Sequence, residues 1–404
     1  MGKQIHKRLP KQFVVDVLEA FNEGQMSEEQ ALVHLGVEHT RLYQIRRQWL
    51  KCGRDINKFE LYNKVIKNQK KLPEEIERYL HKELEYIVDE AKTFRQKFNF
   101  EFLSEEVEKK FGHKYHRNTI RRWALNKGYY TGTADETRKV YSRFEMSGPG
   151  ELYQHDASNH VWLPLTRRHQ DLIMTEDDYS RLVVGGSLVE KETSWKHLQV
   201  VRDSVDKYGL PLVYYVDHHS TFKFSEHEGL HNVFKRHEDE VVTQFGRVLD
   251  SLGIGLRFAP KGEGEAKGKI EKRFDYFQRR LPYMCEKYKV TSVQEADKIL
   301  NNDLIPYYNE KHIHEETQEI PIERWKRGIK EGKSRLRPIP RGIKLDWIFS
   351  LQYPRVVRRD GTIQFANKDW KVGKYVGQKV TVCLIPLKKI VIIKNNQKLW
   401  EYRI

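Results

Sequence analysis

The sequence predicts a multidomain α/β protein, with all-α modules first, a mixed α/β domain in the middle and a small β-barrel last. Three observations carry this. Residues 10–130 hold apolar residues at helical spacing, cut by Gly36 and Gly112. Residues 151–282 alternate strand-length apolar runs with helical stretches. Residues 335–404 alternate short apolar runs with Gly and Asn turns, and RDGT at 359–362 and KNNQ at 394–397 are hairpin signals.

Charge and composition narrow the partner. The chain has 404 residues, and its 73 Lys and Arg against 57 Asp and Glu leave a net charge of +16. A surface of that sign expects a polyanion, with nucleic acid as the first candidate. A membrane is not expected, because no apolar run reaches spanning length and no basic-then-apolar leader opens the chain. Cys52, Cys285 and Cys383 make neither a CxxC pair nor a disulfide framework, which predicts a reducing, cytoplasmic setting. The charge is uneven. Residues 335–404 carry 16 Lys and Arg against four acids, whereas 151–282 carry 19 basic and 21 acidic residues. A basic tail suits a phosphate backbone, and a balanced middle with clustered acids suits a metal site.

Residues 1–52 read as a helix-turn-helix DNA-binding domain. Phe13, Val14, Val17, Leu18 and Phe21 stripe a first helix, Lys11 to Asn22, which Gly24 breaks. Ser27 with Gln30 forms a capping box that opens a second helix, and Gly36 ends it. A third helix, from about Glu38 to Lys51, carries Thr40, Arg41, Tyr43, Gln44, Arg46 and Arg47 as candidate DNA contacts. The plainer alternative is a three-helix bundle with a solvated basic face. Residues 53–72 read as a linker. Residues 73–130 repeat the plan as a second helix-turn-helix domain. Pro73 starts a helix through about Phe98, Ser104 caps another to Phe111, and a third from about Arg117 to Lys127 carries Asn118, Thr119, Arg121 and Arg122. Two modules imply a longer DNA site than one helix reads. Residues 131–150 lack a stripe and mark a boundary.

The core is expected over 150–282. Its strands are Glu151 to Asp156 (continuing toward Leu163), Asp171 to Asp177, Leu182 to Val189, Leu212 to Val216 and Leu256 to Ala259. Helices follow Thr193, cover 241–252 and run from about Glu265 to Leu281. The order βββαβαβα is that of a ribonuclease H-like fold. Residues 283–334 read as a helical connector, and 335–404 as the basic small β-barrel.

Three carboxylates stand out. Asp156 lies on the first strand, Asp217 ends the fourth, and Glu271 borders the stripe Ile270, Phe274, Phe277, Leu281. If the first and fourth strands are parallel neighbours, the two aspartates meet at one sheet edge. Phosphoryl transfer at a diester needs neutralised charge and an in-line nucleophile, and two divalent ions serve this. Magnesium (Mg2+), with manganese (Mn2+) as a substitute, prefers such oxygen ligands. Asp156 is assigned as the bridging ligand, with Asp217 and Glu271 each completing one ion. Lys267, Lys269, Lys272 and Arg273 are candidate phosphate contacts. A chain with 57 acids offers many triples, and Asp275, Glu263 and Glu265 stay open as third ligands. Asp177 and Asp178 read as turn caps. His155, His160, His218 and His219 flank the acids, and no HExxH or CxxC supports a zinc site.

Four stretches go further: YQHDASNHVWLPL, TEDDYSRLVVGGSLVEKETSW, YGLPLVYYVDHHSTFKF and AKGKIEKRFDYFQRRL. They resemble the integrase core of bacterial insertion-sequence transposases, closest to the group called ISNCY within the DDE transposase and retroviral integrase superfamily. YYNEKHIHEETQEIPIERW at 307–325 is similar to the segment after that core. The resemblance implies that Asp156 (QHDAS), Asp217 (YVDHHS) and Glu271 (AKGKIEK) are the catalytic D, D and E. It also implies a double-stranded DNA partner, as terminal inverted repeats and target, in a nucleoid-associated homo-oligomer, dimer or higher. Element ends would be cut to free 3′-hydroxyls, which then join target DNA. The step from Asp156 to Asp217 is 61 residues; that from Asp217 to Glu271, 54, is longer than in many relatives. The excess reads as an insertion at 223–241. The alternatives are a DNA-binding regulator on an inactive core and a purely hydrolytic nuclease.

Overall fold

The structure, a computed structural model, describes residues 5, 8–61, 72–94, 99–129, 144–217, 243–259 and 268–404, with backbone alone over 85–94. These residues cluster in two compact units. One comprises Met1–Phe144, Asn159–Asp171 and Gly268–Gly332, and the other Glu145–Ser158, Leu172–Lys267 and Lys333–Ile404.

In the first unit the leading helices form where their stripes and caps dictate. Helix α1 (Lys11–Asn22) buries Val14, Val15, Val17, Leu18 and Phe21. Helix α2 (Glu28–Leu35) opens on the expected capping box: Ser27 Oγ accepts from Gln30 N at 3.3 Å, and Gln30 Oε1 accepts from Ser27 N at 2.9 Å. Gly36 closes α2 with φ of 54°, a left-handed turn that a side chain would strain. Helix α3 (His39–Lys51) packs Leu42, Ile45 and Trp49 against that core.

Helices α4 (Glu74–Phe94), α5 (Phe100–Phe111) and α6 (Arg117–Asn126) follow. The start of α5 differs from the expectation. Asn99, not Ser104, is its N-cap, its Oδ1 accepting from Phe102 N at 3.1 Å. The earlier start brings Phe102 and Leu103 onto the buried face, and Ser104 is buried inside the helix with its hydroxyl donating to Tyr115 O. Further along the first unit run α9 (Gly268–Gln278), α10 (Leu281–Lys287), α11 (Val293–Ile299), α12 (Ile305–Glu310) and α13 (Pro321–Lys330), so the 283–334 segment is helical as expected.

The central sheet has five strands: β1 (Leu152–Leu163), β2 (Arg168–Asp177), β3 (Val183–Val189), β4 (Val213–Val216) and β5 (Gly255–Phe258). Its order is β3-β2-β1-β4-β5. The β1–β2 and β2–β3 connections are too short for a crossover, so these strands run antiparallel. β1–β4 and β4–β5 are parallel, as their crossovers through α7 (Ser194–Tyr208) and α8 (Gln244–Ser251) require. Thr193 caps α7 and Gly209 stops it, as read from the sequence. The core is therefore a five-stranded mixed α/β sheet, preceded in the chain by helical modules.

The last segment of the second unit carries β6 (Leu351–Val356), β7 (Thr362–Phe365), β8 (Lys368–Lys371), β9 (Lys379–Ile385), β10 (Lys389–Lys394) and β11 (Gln397–Arg403). They form an antiparallel sheet of order β11-β10-β9-β6 and a β7–β8 hairpin. Asn395 and Asn396, both left-handed at φ of 47° and 58°, make the expected β10–β11 turn. A closed barrel, the sequence expectation, is not among the pairings of the described residues.

Candidate active site

The register of β1 on β4 builds the site. Leu152, Tyr153 and Gln154 pair with Val213, Tyr214 and Tyr215. That offset is the same 61 residues that separate Asp156 from Asp217. Carried two residues past the last pair, one beyond the end of β4 at Val216, the same offset would bring Asp156 opposite Asp217. In parallel strands, residues opposite one another share a face, and faces alternate along each strand. Asp156 stands on the face of Gln154, and the extended register would put Asp217 on the same face. Both are half-buried, and Asp156 Oδ1 accepts from Ala157 N at 2.9 Å.

The opposite face is closed. His155 is fully buried there, stacked on Phe245 of α8 at 5.2 Å between ring centroids. Its ring nitrogens lie 2.7 Å from Thr175 Oγ1 and 2.9 Å from His197 Nδ1 of α7. His197 in turn lies 3.4 Å from Glu192. His155 therefore fixes the strand beneath Asp156 instead of joining the acid's face. His197 was not singled out from the sequence; its place in the apolar stripe Val201, Val205 of α7 was the available signal.

Asp177 caps its turn as expected, whereas Asp178, read as a second cap, ties the turn to β1 and the segment before it. Asp177 accepts from Gly150 N at 2.9 Å, Ser180 N at 2.8 Å and Ser180 Oγ at 2.6 Å. Burial pushes its carboxyl up to about 7, against the pull of those donors. Asp178 accepts from Gln154 Nε2 at 2.8 Å and Met146 N at 3.0 Å. The turn after β2 thus holds the start of β1, two residues ahead of Asp156.

Glu271 stands in the first unit on the exposed side of α9, whose Ile270, Phe274 and Phe277 are buried as the stripe predicted. Asp275 is half-buried and 2.8 Å from Arg279. Glu263, Glu265, Lys267, His218, His219 and the 223–241 insertion lie outside the described residues. Among the described residues no group of three or more His, Cys, Asp or Glu is gathered to hold a metal ion. Asp156 on β1 and Asp217 just after β4, the strand paired with β1, are hard oxygen donors of the kind that a divalent cation of the magnesium type takes.

The expected DNA contacts divide. Thr40, Gln44, Asn118, Thr119, Arg121 and Arg122 are exposed, and Arg41, Tyr43 and Arg47 are half-exposed. Lys269 donates to Phe144 O at 2.5 Å, and Lys272 pairs with Glu316 at 2.9 Å. Arg46 and Arg273 are corrections to the expected surface. Arg46 is 0% exposed and pairs with Glu319 at 2.8 Å. Arg273 is 3% exposed, its guanidinium 3.9 Å from the Tyr308 ring centroid. The sequence held a signal for both: Arg46 follows Leu42 by four and precedes Trp49 by three, and Arg273 sits likewise between Ile270 and Phe277.

The chain is similar to curated transposases. The transposase for insertion sequence IS1202 of Streptococcus pneumoniae is 31% identical over 168 residues, 41% of this chain and 34% of that one. A relative named as a transposase, y4bF of Sinorhizobium fredii (strain NBRC 101917 / NGR234), is 26% identical over 165 residues, again 41% and 34%. The chain spans about a third of the length of the curated relatives it matches. Among solved structures, the HTLV-2 integrase catalytic core domain in complex with magnesium aligns at 16% identity and a TM-score of 0.33, covering 46% of this chain and 99% of that one. No family model matches the chain. The chain is similar to insertion-sequence transposases, the resemblance its motifs carry. No helix among the described residues is long and apolar enough to cross a membrane.

Proposed function

We propose that the chain is a DDE transposase that cuts the terminal inverted repeats of its mobile element and joins the freed 3′-hydroxyls to target DNA. The observation that supports this is the β1–β4 register, whose 61-residue offset equals the spacing of Asp156 and Asp217. Asp156, Asp217 and Glu271 are the proposed carboxylates, Glu271 on the strength of the AKGKIEK motif. Two divalent ions, magnesium or manganese, would supply charge neutralisation at the diester and an activated nucleophile. The chain's own part is to hold the aspartates rigid. His155 and Thr175 fix β1 from beneath, and Asp178 fixes Gln154 ahead of Asp156.

In this reading α3 and α6 enter DNA as the recognition helices of two helix-turn-helix domains. Thr40, Arg41, Gln44 and Arg47 present on one, and Asn118, Thr119, Arg121 and Arg122 on the other. The C-terminal sheets, with their excess of Lys and Arg, form a barrel-like domain on the phosphate backbone. The protein works at the nucleoid as a homo-oligomer, dimer or higher, that bridges two ends.

The test uses labelled DNA from both ends flanking the gene, a supercoiled plasmid target, and magnesium or manganese. The wild type yields 3′-end nicks and label joined to plasmid, while Asp217→Asn and Glu271→Gln bind the ends and yield neither. Specific binding without product in the wild type would instead establish a DNA-binding regulator on an inactive core.

A further inference from the structure

The segment at 307–325 has no part in the chemistry above, yet it holds an acid that faces three arginines. Glu319 is 0% exposed. It lies 2.8 Å from Arg46 of α3 and accepts two bonds of 2.7 Å from Arg327 of α13. Arg46 also donates to Asn22 Oδ1 at 2.5 Å. The Phe21 ring of α1 takes both guanidinia, Arg46 at 4.8 Å and Arg327 at 5.1 Å from its centroid. At the surface Arg54 pairs with Glu323, and Lys330 donates to Glu23 O. The first helical module is thus docked on the connector through a buried ion cluster.

The second module has its own tie. Glu105 of α5, 5% exposed, takes Arg280 Nη2 on both oxygens at 3.0 and 3.2 Å. Arg280 is the residue before α10, and its guanidinium lies 3.6 Å from the Tyr276 ring centroid. Phe102 of α5 meets Tyr283 of α10 edge-on at 5.1 Å. Tyr283 belongs to the same buried cluster as Leu80, Leu84, Val107 and Ile120 of the module. Both modules are therefore anchored to the helices running from α9 to α13, by buried Arg–Glu contacts far apart in sequence.

We propose that these ties make the two modules and the α9–α13 helices one DNA ruler, which fixes the spacing between the segments read by α3 and α6. The proposal rests on the reading of α3 and α6 as recognition helices. Modules joined by a flexible linker tolerate changes of spacing, because the linker adjusts its span. Modules held by buried charge pairs do not, since separating them exposes an ion cluster to the loss of its partners. Glu319 and Arg280 act as positioning residues, since they touch the modules and not the bases.

The test measures binding of the full chain to end DNA with about 5 or 10 base pairs inserted between the two protected segments, half a turn or a whole turn. A ruler predicts that either insertion weakens wild-type binding by about a hundredfold or more, the loss of one module's contribution. In Glu319→Gln, native spacing binds more weakly and an insertion costs at most about threefold further. Equal wild-type affinity at all three spacings overturns the proposal. A second measurement needs no DNA: spin labels at Gln44→Cys and Ile329→Cys, in a Cys52→Ser background. One narrow distance distribution supports rigid docking, and a broad one overturns it. If Thr40→Ala and Asn118→Ala leave DNA protection unchanged, the recognition-helix reading has failed. The ruler then falls with it, even where the labels report rigid docking.

Discussion

Glu319 and Glu105 are both buried acids that face arginine, and they respond to burial in opposite ways. At Glu319 burial alone would raise the carboxyl, but Arg46, Arg327 and Arg324 outweigh it and hold the pKa at about 2, below the ordinary 4.5. At Glu105 burial dominates and the carboxyl is raised, with Arg280 the main opposing charge and Lys114 a lesser one. The difference teaches that the number of guanidinia gathered on a buried acid, not burial, decides whether its charge is favoured. One tie is over-compensated by cations and the other is a near-balanced pair.

The largest effect expected from breaking this contrast is at the over-compensated end. Glu319→Ala leaves Arg46 and Arg327 buried without their shared carboxylate. Removing one partner of a buried ion pair costs about 3–5 kcal/mol. Urea unfolding read at Trp49, which packs in the core of the first module, should show that loss. A loss under about 1 kcal/mol would mean that water enters and solvates the arginines, and that the cluster contributes little.

How much of this was legible in the sequence follows from the range of each interaction. The capping box of Ser27 and Gln30, the stop at Gly36 and the turn at Asn395–Asn396 are local, and the sequence alone locates them. The order of the central sheet was also legible, because connection length limits which strands pair in which sense. The shared 61-residue spacing of the β1–β4 register and of Asp156 and Asp217 was legible as well. Arg46 and Glu319 were not legible as partners, since no local pattern links residues so distant. Their burial was half legible: a charged residue at a stripe position, between Leu42 and Trp49, has an apolar surround and needs a partner. Reading Thr40 to Arg47 of α3 as one DNA-facing set overlooked that position. Glu105 gives the same lesson, three residues after Phe102. Ser104 shows the converse. A residue with good capping chemistry was outcompeted because the helix gains buried surface by starting at Phe100.

A middle-sized effect should appear at the balanced tie. Glu105→Gln keeps the shape and one acceptor for Arg280 while removing the charge. The expected cost is about 1–3 kcal/mol, smaller than at Glu319 because one guanidinium is affected instead of three. The pH responses should diverge as well. Glu319 has a depressed pKa in the fold, so its contribution is complete above about 4.5 and is lost as pH falls toward about 2. Glu105 has a raised one, so folding favours its protonated form, and its contribution is present in acid and lost as pH rises through its folded pKa. Fluorine resonances of 5-fluorotryptophan at Trp49 and Trp123 would report the two modules separately. Lowering the pH from 5 toward 3 should loosen the first module before the second. The reverse order would show that Arg280 holds Glu105 ionised, and that the two ties are alike.

The smallest effect tests whether docking or local structure stabilises the first module. Ser27→Ala removes the side-chain acceptor of the capping box but no contact to α13. Loss of an N-cap costs about 1 kcal/mol. If the module is held mainly by Glu319, that cost should appear in the wild type as a change in stability with no change in the distance between labels at Gln44 and Ile329. In the Glu319→Gln background the same substitution should cost no less, because the cap lies outside the ion cluster and the two effects add. Strong non-additivity would mean that α2 and its cap set the position of α3, so that the acid on the connector follows the module's geometry instead of fixing it.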